Sequence, residues 1–112
     1  VNKLIQGLLI ALLMLLMGPA HCNAAGSTQG AELFQQHCAA CHRNGENIIR
    51  RGKTLKLKAL ERQGIASADA IAQIAREGVG QMSGYGDVLG PEGDRIVAEW
   101  IWEQAQNAWI QG

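Results

Sequence analysis

The sequence predicts a small all-α fold. Apolar residues recur at helical spacings of three and four in its second half, as at Val97, Trp100, Ile101 and Ala105. No stretch alternates convincingly at the two-residue period of a strand. Helix breakers gather in one place, with five glycines between positions 78 and 90. A length of 112 residues suits one domain, and neither an internal repeat nor a low-complexity linker interrupts it.

The first segment reads as an address rather than as part of the fold. Asn2 and Lys3 form a short, weakly basic start, followed by a largely apolar run from Leu4 to Met17. Gly18 and Pro19 end that run, and small residues follow at Ala24, Ala25 and Gly26. This is the pattern of a secretory signal peptide. The run is short for a spanning helix, which needs about 20 apolar residues. His21 stands before Cys22 where a lipidation signal wants a small residue. Expected boundaries are therefore a cleaved signal over residues 1–25 and a folded domain over 26–112.

Ser27 or Thr28 is positioned to cap a first helix that passes Gly30, Leu33 and Phe34. Residues 44–52 read as an irregular loop. Thr54 is placed to cap a short helix ending at Gly64. Lys56 and Lys58 in its first turns oppose the helix dipole, so packing must hold it or it frays. Ser67 is a good N-cap for a third helix, with Asp69 in its first turn, Ile71, Ile74 and Ala75 on one face and Gly78 as its stop. The stretch from Gly78 to Gly90 reads as an extended loop with Met82 in its middle. Pro91 suits the start of the last helix, with Glu92 and Asp94 in its first turn.

Chemistry concentrates in Cys38-Ala39-Ala40-Cys41-His42, a C-x-x-C-H pattern of the kind that attaches c-type haem. Two thiols three residues apart can each add to one vinyl group of a porphyrin. The histidine that follows can then offer an imidazole nitrogen to the iron. Removal of the signal would leave Cys38 and Cys41 as the only cysteines and Met82 as the only methionine. Met82 is then the natural opposite ligand, because His37 directly precedes Cys38 and cannot easily reach the other face. His/Met ligation raises the reduction potential and fills all six iron positions, which favours electron transfer over catalysis. Rival readings lack parts. A disulfide suits a secreted two-cysteine chain but leaves His42 unexplained. Structural zinc wants a second ligand pair, and a redox dithiol wants a βαβ setting.

Charge is balanced in total and uneven along the chain. Positions 43–62 hold seven basic residues and two acidic ones, and everything after position 62 holds two basic and seven acidic. Such a distribution can orient a protein partner during encounter, or be an ordinary solvated surface.

These residues resemble class I cytochromes c, and within them the cytochrome c6 family of cyanobacteria and algae. Gly30-Ala31-Glu32-Leu33-Phe34 is similar to that family's N-terminal helix, and Val97 to Ala105, with Trp109 beyond, to its C-terminal helix. Asn47-Ile48-Ile49 and Lys53-Thr54-Leu55 are similar to its haem-edge loop. The resemblance implies about four helices around one covalent haem c, with Gly30 and Phe34 packed against Trp100. It implies Cys38 and Cys41 as attachment points, His42 and Met82 as iron ligands, and Asn47, Lys53, Thr54, Leu55 and Ile74 in the haem surroundings, with Tyr85 near the distal edge. Two positions depart from the family. Ser83 follows Met82 where proline is usual, and Ile74 stands where photosynthetic members carry glutamine. The second departure is similar to c6-like paralogues, although Ile74 also suits plain core on its helix stripe.

The expected function is a one-electron carrier, not an enzyme, and a monomer without stable membrane insertion or nucleic-acid binding. By resemblance it is exported to the thylakoid lumen or periplasm, accepts electrons from a cytochrome f-like donor and passes them to photosystem I or an oxidase. The alternative from another class is a haem-based redox or ligand sensor, in which Ser83 and the glycine-rich loop let Met82 dissociate.

Overall fold

The computed structural model describes residues 2–16 and 24–110. His21, Cys22 and the end of the apolar run lie outside the described residues. Helix α1 (Asn2–Leu16) carries the apolar run, and its side chains from Leu4 to Met14 stand exposed. Among the described residues, no helix is long and apolar enough to cross a membrane.

Helix α2 (Ala24–His37) begins earlier than a cap at Ser27 or Thr28 would allow, so those positions fall inside it. It breaks at Cys38, whose φ of −120° and ψ of −33° leave the helical region, and one further turn forms α3 (Ala39–His42). A 3-10 turn at Arg43–Gly45 follows, with Asn44 and Gly45 at positive φ. Helix α4 (Leu57–Arg62) starts later than a Thr54 cap predicts. Lys56 takes the N-cap position, and its ammonium pairs with Glu46 across the preceding loop. Packing holds this helix in place of a favourable dipole, since Ala59 and Leu60 are buried.

Helix α5 (Ala68–Glu77) is as the sequence predicts. Ser67 accepts a hydrogen bond from the Ala70 N–H at 3.2 Å, and Gly78 ends the helix at φ 80°. The expected extended loop is instead compact. Strands β1 (Gly78–Val79) and β2 (Met82–Ser83) pair antiparallel, Gly78 opposite Ser83 and Val79 opposite Met82. Glycine here permits close approach rather than slack. A Cβ at Gly78 would stand 2.5 Å from the Met82 carbonyl oxygen, and one at Gly84 the same distance from that of Arg76.

Helix α6 (Gly86–Gln106) has a break at Gly90, φ 76°, so its long regular part does begin at Pro91. It is the spine of the domain. Both α2 and α5 pack chiefly against it, and Val97, Ala98, Trp100, Ile101 and Ala105 are buried along its stripe. Gly30 permits the α2 crossing, since a Cβ there would meet Trp100 Cβ at 2.5 Å. Phe34 stacks at a tilt on Trp100, with ring centroids 4.9 Å apart. On the other side, Arg76 of α5 pairs with the buried Asp94 of α6. Burial pushes the Asp94 carboxyl up, but the Arg76 guanidinium and the Arg95 backbone N–H outweigh it and hold the group below its ordinary range.

After α6 the chain reverses through Ala108 and Trp109 in the left-handed region, φ 55° and 57°. The Trp109 N–H donates to the Gln104 carbonyl at 2.8 Å. Its ring is buried beside Phe34 and Trp100, completing a three-ring cluster.

Candidate haem-binding site

The helix break at Cys38 builds the site. The Cys38 N–H still donates to the Phe34 carbonyl at 2.8 Å, while the Cys38 carbonyl accepts from Cys41 at 3.2 Å and from His42 at 2.9 Å. Cys38, Cys41 and His42 are therefore presented by one rigid turn, at the spacing that puts neighbouring residues on one helix face. Both cysteines are free and half-buried, so the disulfide reading is not what this structure contains. Burial pushes the Cys38 thiol up to about 11. Among the described residues no group of three or more histidine, cysteine or acidic side chains is arranged to hold a metal ion by itself.

His42 has a defined role for each ring nitrogen. Its Nδ1 lies 2.9 Å from the Glu46 carbonyl oxygen, which can only accept. Nδ1 must carry the proton, so Nε2 keeps its lone pair for a metal. The loop that supplies this carbonyl is self-bonded. Asn47 Nδ2 donates to the Lys53 carbonyl at 2.9 Å, and Asn47 Oδ1 accepts from Ile49 at 3.0 Å and Arg50 at 2.8 Å. Thr54 Oγ1 accepts from the Lys56 N–H at 3.4 Å. Leu55 is half-buried against the core, and Lys53 is exposed. Asn47, Lys53, Thr54 and Leu55 thus share one loop, with Asn47 as its organiser.

Met82 and Ile74 come from the other segment packed on α6. Met82 is half-buried in β2 and Ile74 half-buried on α5. Tyr85 follows the hairpin, and its N–H donates to the Ala75 carbonyl at 2.8 Å, which ties the Met82 segment back to α5. An imidazole with Nδ1 committed to a carbonyl, a thioether and two free thiols are the donor set of a c-type haem, so the residues present fit that group. Sequence reasoning missed the Glu46 carbonyl, because a backbone acceptor leaves no residue signature. It also gave Trp109 no part in this loop, although Trp109 Nε1 donates to the Leu55 carbonyl at 3.1 Å.

The comparisons agree with this chemistry. A family model described as cytochrome c oxidase, cbb3-type, subunit III matches residues 25–101. The cytochrome c6-like protein of Nostoc sp. (strain PCC 7120) is 41% identical over 107 residues, covering 96% of this chain and 95% of its own. The crystal structure of cytochrome c6B from Synechococcus sp. WH8102 is 67% identical with a TM-score of 0.75, covering 80% of this chain and all of that one. Oxidized cytochrome c6A from Arabidopsis thaliana is 31% identical with a TM-score of 0.73 over the same shares. The chain belongs to the class I cytochromes c, in their cytochrome c6-like group of electron carriers, and carries one covalently bound haem c.

Proposed function

We propose that this chain carries single electrons on a haem c attached through Cys38 and Cys41, with His42 Nε2 and the Met82 thioether as axial ligands. The bound group supplies a reversible one-electron change at iron. The chain's own residues set its surroundings. Glu46 holds the His42 tautomer by accepting from Nδ1. The β1–β2 hairpin and the Tyr85 bond hold Met82 against the end of α5. Asn47, Lys53, Thr54 and Leu55 form the edge loop, and Ile74 contributes an apolar wall on the Met82 side.

The observation that carries this reading is one turn presenting two free thiols and a histidine whose Nδ1 is already committed. Replacing Met82 by alanine is expected to abolish the methionine–iron charge-transfer band and lower the potential. An unchanged spectrum overturns the axial assignment. The clamped hairpin gives the sensor alternative no support, and slow or absent carbon monoxide binding by the reduced protein is the expected result.

The finer assignments rest on the sequence pattern and the c6-like relatives. Residues 1–25 act as an export signal, cut near Ala25, that delivers the domain to the thylakoid lumen or periplasm. There it accepts electrons from a cytochrome f-like donor and passes them to photosystem I or an oxidase. The exposed apolar face of α1, which the core does not bury, supports this separation of signal from domain. N-terminal sequencing of the exported protein checks it.

A further inference from the structure

The loop that supplies the Glu46 carbonyl has a neck, and a residue at the far end of the chain closes it. Gly45 and Leu55 form the neck, with the Leu55 N–H donating to the Gly45 carbonyl at 2.8 Å. The Leu55 carbonyl in turn accepts from Trp109 Nε1 at 3.1 Å. The indole lies hard against Gly45, where an added Cβ would stand 2.5 Å from both Cε2 and Nε1 of Trp109. Gly45, at φ 77°, is bonded directly to Glu46, the residue whose carbonyl sits 2.9 Å from His42 Nδ1. Phe34 and Trp100, with ring centroids 5.4 and 5.8 Å away, fix the indole from behind. A short chain of contacts therefore runs from the indole, through the loop neck, to the acceptor that orients the proximal imidazole.

We propose that Trp109 is a positioning residue for the proximal ligand: by clamping Gly45 and bonding the Leu55 carbonyl, it fixes the Glu46 carbonyl against His42 Nδ1 and so tunes the reduction potential. This rests on the axial reading of His42. A firm bond from Nδ1–H makes the imidazole a stronger donor, and a stronger donor favours the oxidised metal. Loss of the indole N–H lets the neck loosen, weakens that bond and raises the potential.

The test is a redox titration of two variants in the haem-loaded protein. Trp109→Phe keeps an aromatic ring and removes the donor to Leu55. It is expected to shift the ferric/ferrous equilibrium about threefold toward ferrous, roughly 30 mV at 59 mV per tenfold. Ala98→Gly weakens the buried stripe of α6 but leaves Phe34, Trp100, Trp109 and the Trp109–Leu55 bond in place, and is expected to lower the melting temperature with the potential unchanged. An unshifted or lowered potential in Trp109→Phe, or an equal rise in both variants, overturns the proposal. Should Trp109→Phe fail to fold, native-state hydrogen exchange on the unaltered protein decides it. The Trp109 indole and His42 Nδ1 protons are expected to open with the same free energy, and an indole that opens far more readily defeats the coupling. The two layers fail separately. A missing low-spin His/Met spectrum in the unaltered protein removes the axial reading. An unmoved potential in a low-spin variant removes the role of Trp109 alone.

Discussion

At the scale of residues, the site separates the groups that define the cofactor from those that tune it. Cys38, Cys41 and His42 are fixed by one turn, and their identity follows from C-x-x-C-H. Tuning falls to less conspicuous positions. Ile74 sits half-buried on α5, eight residues before Met82, at the position where the family resemblance implies a glutamine in photosynthetic members. If Ile74 lines the haem as the resemblance implies, an aliphatic side chain there would offer the iron no dipole and its ligands no hydrogen bond. Ile74→Gln is expected to raise the reduction potential toward that of the photosynthetic members, as read by titration. An unchanged value would make the position ordinary packing. Asn47 is the converse case. The resemblance places it near the haem, while its three hydrogen bonds make it the organiser of the edge loop.

At the scale of elements, α6 and its two partners decide whether the site exists at all. The α2–α6 crossing depends on the missing side chain at Gly30. Gly30→Ala forces a methyl group to within 2.5 Å of Trp100 Cβ and 3.0 Å of the Ile96 carbonyl. Overpacking of this kind costs about 1–3 kcal/mol, measurable as a lower denaturant midpoint. An unchanged midpoint would mean that the helices can separate freely. The α5–α6 side is held by Arg76 and Asp94. Because the folded Asp94 carboxyl titrates below its ordinary range, its stabilisation is complete above the unfolded carboxylate value, about 3.9. It is lost as pH falls through the lower folded value. Asp94→Asn is thus expected to melt below the parent at pH 7, with the gap narrowing in acid. A gap constant down to pH 2 would remove the charge from the explanation.

These elements also mark what the sequence could reveal. The stripe of α6, the Ser67 cap and the Gly78 stop were legible because each is a local signal of period or capping. The hairpin around Met82 was not. Its glycines announce a break in helix but say nothing of which backbone atoms approach, and the 2.5 Å contacts at Gly78 and Gly84 exist only in the folded chain. The Glu46 acceptor was invisible for a related reason, since any residue supplies a carbonyl.

At the scale of the whole molecule, the lopsided charge of the sequence maps onto a definite surface. Arg43, Arg50, Arg51, Lys53, Lys58 and Arg62 are all exposed along the 3-10 turn, the edge loop and α4. The Ile48 and Ile49 side chains of the same loop are also exposed. An acidic redox partner approaching this region is steered by the basic groups before any apolar contact forms. Second-order electron transfer to such a partner is expected to slow as ionic strength rises from about 0.01 to 0.15 M, because the screening length shrinks from about 30 to 8 Å. Arg50→Glu with Arg51→Glu should flatten that dependence. A rate indifferent to salt in the parent would leave the apolar groups in sole charge of docking.

Trp109 gives the molecule an order of events. Its bond to Leu55 spans 54 positions of sequence and comes three residues from the end of the chain. The turn bearing both cysteines can form early from local contacts, whereas the neck of the loop beside it depends on a contact 54 positions away, which is slower to close. Under the haem reading proposed above, thiol addition would precede the ordering of the proximal side, which becomes rigid only when the Trp109–Leu55 contact closes.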